Sequence, residues 1–206
     1  MPVHQAIYGG YSLYAGALFG KPDFKDPNVF AAKLANNFMF GAQMGWFSML
    51  GQNNTNQTTG EYHPERGIYE ELMDTKHDPE IHYLRKLSSA KKVVNEYFLH
   101  GRVTRQLPLQ SHLPPQSVQS IAWLSRDSNS MLVPITTVNR DGEYQIDMTL
   151  DLANYGLLGD NKNLYNVRKI SAYEGQESGT LGSYNQREVK INLKMAGREI
   201  VLLEIS

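Results

Sequence analysis

The sequence predicts a chain in two parts, an α/β half followed by an all-β half. Residues 1–110 carry long apolar stripes at helical spacing, alternating with short buried-looking strands. Residues 111–206 carry short alternating runs broken by turn residues. Between the two patterns stand Pro108, Pro114 and Pro115, three prolines within eight residues. Proline neither continues a helix nor fits a central strand, so the junction of two domains, 1–110 and 111–206, is expected there.

The first half begins with Val3 to Tyr8, a short buried strand that Gly9 and Gly10 stop. A helix starts at Asp26-Pro27, where Asp serves as N-cap and Pro is preset for the first turn. Val29, Phe30, Leu34, Phe38 and Met39 follow at helical spacing, and Gly41 takes the C′ position. Ala42 to Leu50 is apolar and glycine-containing, and reads as a second buried strand. Gln52 to Gly60 is a polar tract with too little apolar surface to order itself, hence a loop. The strongest helical pattern runs from Pro79 to His100. Asp78 caps it, Glu80 sits at its positive end, and Gly101 closes it. Its stripe is Ile81, Leu84, Leu87, Val94, Tyr97 and Phe98. The order strand, helix, strand, helix argues for parallel strands in α/β units.

The second half reads as six short strands. They are Ile121–Ser125, Met131–Val138, Tyr144–Leu150, Leu164–Ile170, Glu188–Leu193 and Glu199–Ile205. Arg126 to Asn129 and Asn139 to Gly142 make turns, the second signalled by Asp-Gly. Tyr144, Ile146, Met148 and Leu150 alternate with polar neighbours, giving one dry and one wet face. Such spacing predicts an antiparallel β-sandwich. Trp123, apolar on both sides, is expected to point into the core.

Composition excludes several classes. Twenty Lys+Arg against 21 Asp+Glu supply no basic excess for general nucleic-acid binding. With no Cys, disulfides, thiolate metal sites and a cysteine nucleophile are excluded. No apolar run is long enough to span a membrane. Residues 1–8 lack a basic region and a long apolar stretch, so they are not expected to be a signal peptide. Absence of Cys fits a reducing cytoplasm or a bacterial secreted enzyme, so localisation stays open.

Two strand–helix units are a quarter of a closed (β/α)8 barrel, as though earlier units were missing. Several segments resemble the C-terminal end of a bacterial glycoside-hydrolase-like TIM-barrel family, many members of which are known only as a domain of unknown function. They are Pro2 to Tyr8, Phe40 to Phe47, Lys92 to Gly101, Asp151 to Leu157 and Arg198 to Ile205. The resemblance implies that residues 1–110 are the last two βα units of an incomplete barrel and 111–206 a β-sandwich behind it. It also implies that the missing N-terminal barrel portion holds the catalytic carboxylates.

Glycoside hydrolysis generally needs two carboxyl groups, placed at the C-terminal ends of barrel strands. The two predicted strands end in Tyr8-Gly9-Gly10-Tyr11 and Gly45-Trp46-Phe47-Ser48, and neither supplies an acid. Glu61, Glu65, Glu70, Glu71 and Asp74 follow downstream, where a solvated loop face explains them, so no catalytic pair is named. The strand ends supply rings instead. Sugar rings lay their C–H faces on aromatic rings, which makes Tyr8 and Trp46, with Tyr11, candidates for a substrate wall. The plainer alternative is that they fill the barrel top or the interface with the sandwich. Gln43 is a candidate for a substrate hydroxyl, with a backbone-satisfying core glutamine as the alternative.

His4 and the other histidines form no HxH or HExxH pattern, so no metal and no cofactor are expected. Phosphate-loop and GxSxG patterns are absent. Asp141 to Glu143 and Asp160 to Asn163 read as turns rather than Ca²⁺ ligands. The expected partner is carbohydrate. Two functional readings follow: a portion of a glycoside-hydrolase-like protein contributing a sugar wall, or a carbohydrate-binding or interaction sandwich without catalysis. The second needs an exposed row of rings, for which the sandwich offers Trp123, Tyr144, Tyr155, Tyr165, Tyr173 and Tyr184.

Overall fold

A computed structural model of the chain describes residues 26–42, 75, 78–106, 109–110, 117–157, 164–184 and 188–206. The two strands expected at Val3–Tyr8 and Ala42–Leu50 lie outside these residues, apart from Ala42, which is buried and in no strand. The described residues form antiparallel sheets with helices packed on one face, so the fold is mixed but mostly β.

Helix α1 is Pro27–Met39. Asp26 caps it as the sequence demands, its Oδ1 accepting from the backbone N–H groups of Asn28 at 3.0 Å and Val29 at 3.4 Å. Gly41 follows with φ 66°, the left-handed turn that glycine takes without steric penalty.

The long helix expected at 79–100 divides into α2, Asp78–Val93, and α3, Asn95–His100. Asp78 lies within the first helical turn rather than preceding it. The break is at Val94, whose φ of −108° and ψ of 18° leave the helical well. The N–H of Tyr97 then turns to Val94 O at 3.0 Å, a three-residue step. No proline or glycine marks this break, so the apolar period ran through it unbroken. The buried stripe is also rotated from the expected one. Tyr83, Leu87, Ala90, Val94 and Phe98 are buried, whereas Ile81 and Leu84 are only partly covered. Gly101 ends α3 at a close approach, since a Cβ there would meet Leu124 O at 2.4 Å.

The first sheet has six strands in the order β1-β3-β4-β9-β6-β7. These are β1 Arg102–Gln106, β3 Val118–Leu124, β4 Met131–Thr137, β9 Ile200–Ile205, β6 Tyr165–Ile170 and β7 Gly179–Tyr184. The second sheet has the order β2-β5-β8, with β2 Leu109–Gln110, β5 Glu143–Asp151 and β8 Glu188–Ala196. Every pairing is antiparallel. All six strands expected within 111–206 are present. Strands β1, β2 and β7 were not expected; β7 is glycine-containing and buries no residue. Strand β1 stands before Pro108 in sequence, yet it pairs with β3.

Two clusters make the core. The inner one joins the facing sides of the two sheets: Ala122, Met131, Val133, Leu203 and Ile205 from the larger sheet meet Tyr144, Ile146, Leu150 and Val189 from the smaller. The outer one joins α1, α2 and α3 to the back of the larger sheet, through Phe30, Leu34, Phe38, Leu87 and Phe98 against Ile121, Trp123, Leu132 and Leu202. Strand β4 is therefore buried along its whole length, its side chains dividing between the clusters. Trp123 is buried as expected, but on the helix side rather than between the sheets.

Candidate functional site

Tyr8, Tyr11, Gln43 and Trp46, the four residues proposed for a substrate wall, all lie outside the described residues, as do Glu61, Glu65, Glu70, Glu71 and Asp74. What is described is the seat from which the chain enters Gln43. Residues 39–42 are held by three elements. Trp123 Nε1 donates to Met39 O at 2.9 Å from β3. Lys91 Nζ, on α2, donates to Gly41 O at 3.0 Å and Ala42 O at 2.6 Å. Phe98, on α3, stacks edge-on to both Phe38 and Trp123, with centroids 5.4 and 5.1 Å away. Lys91 thus places its ammonium at the negative end of α1, where free carbonyls want a donor. Burial lowers its pKa, because the charged form loses hydration.

A second polar zone ties α2 to the larger sheet. Glu80 is 2% exposed and sits between two guanidinium groups. Arg198 Nη1 bonds Glu80 Oε1, and Arg140 Nη2 donates to both carboxylate oxygens at 3.0 and 3.2 Å. Arg198 Nη2 also donates to Pro27 O at 3.1 Å, which brings the start of α1 into the same network. Beside it, Glu199 Oε2 accepts from Lys86 Nζ at 2.8 Å, and Glu199 Oε1 from the Tyr173 hydroxyl at 2.6 Å. Lys86 Nζ lies 4.9 Å from the centre of the Tyr173 ring, a cation–π contact.

Three tyrosines are held in their neutral form. Thr136 Oγ1 gives its proton to Glu199 O at 2.8 Å, so the Tyr83 hydroxyl is the donor in its 2.7 Å bond to Thr136. Burial foremost pushes Tyr83, Tyr97 and Tyr173 well above the ordinary phenol range. For Tyr97 and Tyr173 an accepting carboxylate, Glu204 or Glu199, adds to it.

These contacts fix α1, α2 and α3 against the larger sheet. The three carboxylates most sheltered in this zone each face a cation: Glu80 with Arg198 and Arg140, Glu199 with Lys86, Glu204 with Arg168. Among the described residues no cluster of His, Asp or Glu is arranged to hold a metal ion. Among them, too, no helix is long and apolar enough to cross a membrane.

The rings named for a binding sandwich are largely consumed. Trp123, Tyr144, Tyr155 and Tyr165 are buried in the two cores. Tyr173 and Tyr184 are half-buried, and the Tyr184 hydroxyl donates to Lys190 O at 2.8 Å. Sequence reading gave Glu80 only a place at the positive end of its helix and assigned no contact to Lys91 or Arg198, because a charge on a helix face or in a hairpin turn reads as solvated.

No family model matches the chain. Its sequence is similar to "Putative glycoside hydrolase 22789" of Monosiga brevicollis, with 26% identity over 169 residues, covering 74% of this chain and 14% of that protein. The chain therefore spans a small part of the length of the curated relative it matches. That relative is not bacterial, so a bacterial origin gains no support from it. Among solved structures, one titled "Glycoside hydrolase" aligns with a TM-score of 0.49 at 10% identity, over 93% of this chain and 40% of that one. The bifunctional glucanase-xylanase CelM2 from a metagenome library aligns with a TM-score of 0.28 at 16% identity, over 45% of this chain and 16% of that one. Neither structural likeness is close enough to establish a shared fold.

Proposed function

We propose that this chain is a portion of a glycoside-hydrolase-like protein, and that it helps bind carbohydrate rather than supplying the catalytic carboxylates. The observation that carries the reading is the sequence similarity to a putative glycoside hydrolase across most of the chain. In this reading α1 and α2 are the helices of the last two βα units of a barrel, and the two antiparallel sheets are a β-sandwich behind it. The proposed division stays between 110 and 111, although β1 and β2, which precede it, already pair with strands of the sheets. Tyr8, Tyr11, Gln43 and Trp46 form the sugar wall, and the missing barrel portion brings the acids.

The seat around Met39 to Ala42 supports this assignment. Binding surfaces gain from a first contact held on rigid elements, because little ordering entropy then remains to be lost. Gln43 follows directly after a segment fixed by Trp123, Lys91 and Phe98. The alternative, a binding sandwich with an exposed row of rings, has less support, since the rings it needs are buried or half-buried.

The chain has two tryptophans, Trp46 and the buried Trp123, which makes fluorescence selective. Titration with millimolar oligosaccharides is expected to change the emission of the native chain, and Trp46→Phe is expected to abolish that change. An unresponsive native chain, or a response that survives Trp46→Phe, would remove the proposed wall.

A further inference from the structure

A groove of about 660 Å³ opens between α3 and the turn joining β3 to β4. Its size lies within the range of small-molecule sites, about 300–1,000 Å³. Glu96, Tyr97 and His100 line it from the helix; Arg126, Asp127 and Ser130 line it from the turn. None of these residues belongs to the wall proposed above.

Its polar groups are set before any ligand arrives. Asp127 Oδ1 accepts from Ser125 Oγ at 2.6 Å and from the Asn129 N–H at 3.1 Å, and Oδ2 accepts from Asn129 Nδ2 at 2.9 Å. Led by the Ser125 hydroxyl, these donors hold the Asp127 carboxyl down to about 2. The Tyr97 hydroxyl gives its proton to Glu204 Oε1 at 2.8 Å, so Ser130 Oγ is the donor in its 2.8 Å bond to Tyr97. The Ser130 oxygen keeps acceptor capacity toward the groove. Glu96 has 84% of its side chain exposed and lies 3.7 Å from His100 Nε2.

The charges decide the class of ligand. Two carboxylates, Glu96 and Asp127, stand against one guanidinium, Arg126, so a phosphate or carboxylate ligand meets like charge. A cation meets Arg126. A neutral molecule with many hydroxyls can donate to the carboxylates, accept from the guanidinium, and lay a C–H face on the half-buried Tyr97 ring. We propose that this groove is a second saccharide-binding site, distinct from the wall at Tyr8 and Trp46. It rests on the reading of the chain as carbohydrate-handling, and would hold a further part of a long glycan against the helix–sheet seam.

Amide chemical shifts of the full chain test it, titrated separately with cellotetraose, xylotetraose, maltotetraose and inorganic phosphate. At least one tetrasaccharide is expected to shift the amides of residues 96–100 and 125–130, and phosphate is not. The double variant Glu96→Gln/Arg126→Ala alters two exposed side chains, and circular dichroism checks its fold. It is expected to weaken that binding by about tenfold or more, while Trp46→Phe leaves it unchanged. Silence of these amides with every sugar, equal binding by the double variant, or the same shifts with phosphate would overturn the proposal. A Trp46-dependent fluorescence change with a silent groove would overturn the groove and keep the wall. Shifts in the groove without any Trp46 response would do the reverse.

Discussion

Asp127 illustrates how a turn residue acquires a defined charge. Its acidity comes foremost from the Ser125 hydroxyl, so Ser125→Ala is expected to raise its pKa from about 2 toward the ordinary 3.8. Carboxyl chemical shifts followed against pH would show it; a midpoint left near 2 would assign the effect to Asn129 instead. Because the folded value is depressed, this contribution to stability is fully present above the ordinary value and is lost as pH falls from about 3.8 through about 2. The buried tyrosines behave in the opposite sense. Their folded pKa values are raised, so their contribution is complete below the ordinary value of 10.0 and is lost as pH rises beyond it. Alkaline titration of phenolate absorbance should therefore show a group of tyrosines that ionise only when the chain unfolds. Early, gradual ionisation of all twelve would contradict their burial. Tyr83→Phe should cost about 1 kcal/mol, the net worth of one buried hydrogen bond.

At the level of elements, the Glu80 network joins α2, the start of α1 and the β8–β9 turn. Removing one partner of a buried pair strands the other charge, so Glu80→Ala is expected to destabilise by about 3–5 kcal/mol in denaturant unfolding. A loss under 1 kcal/mol would mean that water reaches Arg198. The elements differ in how well the sequence disclosed them. Helix α1 was readable because Asp26, Pro27 and Gly41 each carry a local mechanism that the structure uses. Strand β5 was readable because one face is wet and period two survives. Strand β4 is buried on both faces, so its length was clear while its neighbours were not. The helix break at Val94 was not legible, since no breaker residue marks it. Neither were β7, which buries nothing, and β1, whose partner β3 lies beyond the prolines. Of the candidate site, Tyr8 and Trp46 lie outside the described residues, whereas the seat at Lys91 and the network of Glu80 and Arg198 depend on contacts between segments far apart in sequence.

For the molecule as a whole, the outer core makes the helices and the larger sheet mutually dependent. Ile121, Trp123, Leu132, Ile200 and Leu202 would face water without α1 to α3. The full chain is therefore expected to melt in one calorimetric transition, and two separated transitions would show that the helices and the sheets fold apart. One folded body of this kind carries both the seat at the end of α1 and the groove beside α3. The sheltered carboxylates Glu80, Glu199 and Glu204 of this body each face a cation. The proposal at the level of the whole chain is that it binds carbohydrate without cleaving it. The most direct measurement is release of new reducing ends when the purified chain is incubated with the tetrasaccharides that it binds. Binding is expected with no release above the rate without protein; sustained release, abolished by substituting an acid of this chain, would contradict the proposal.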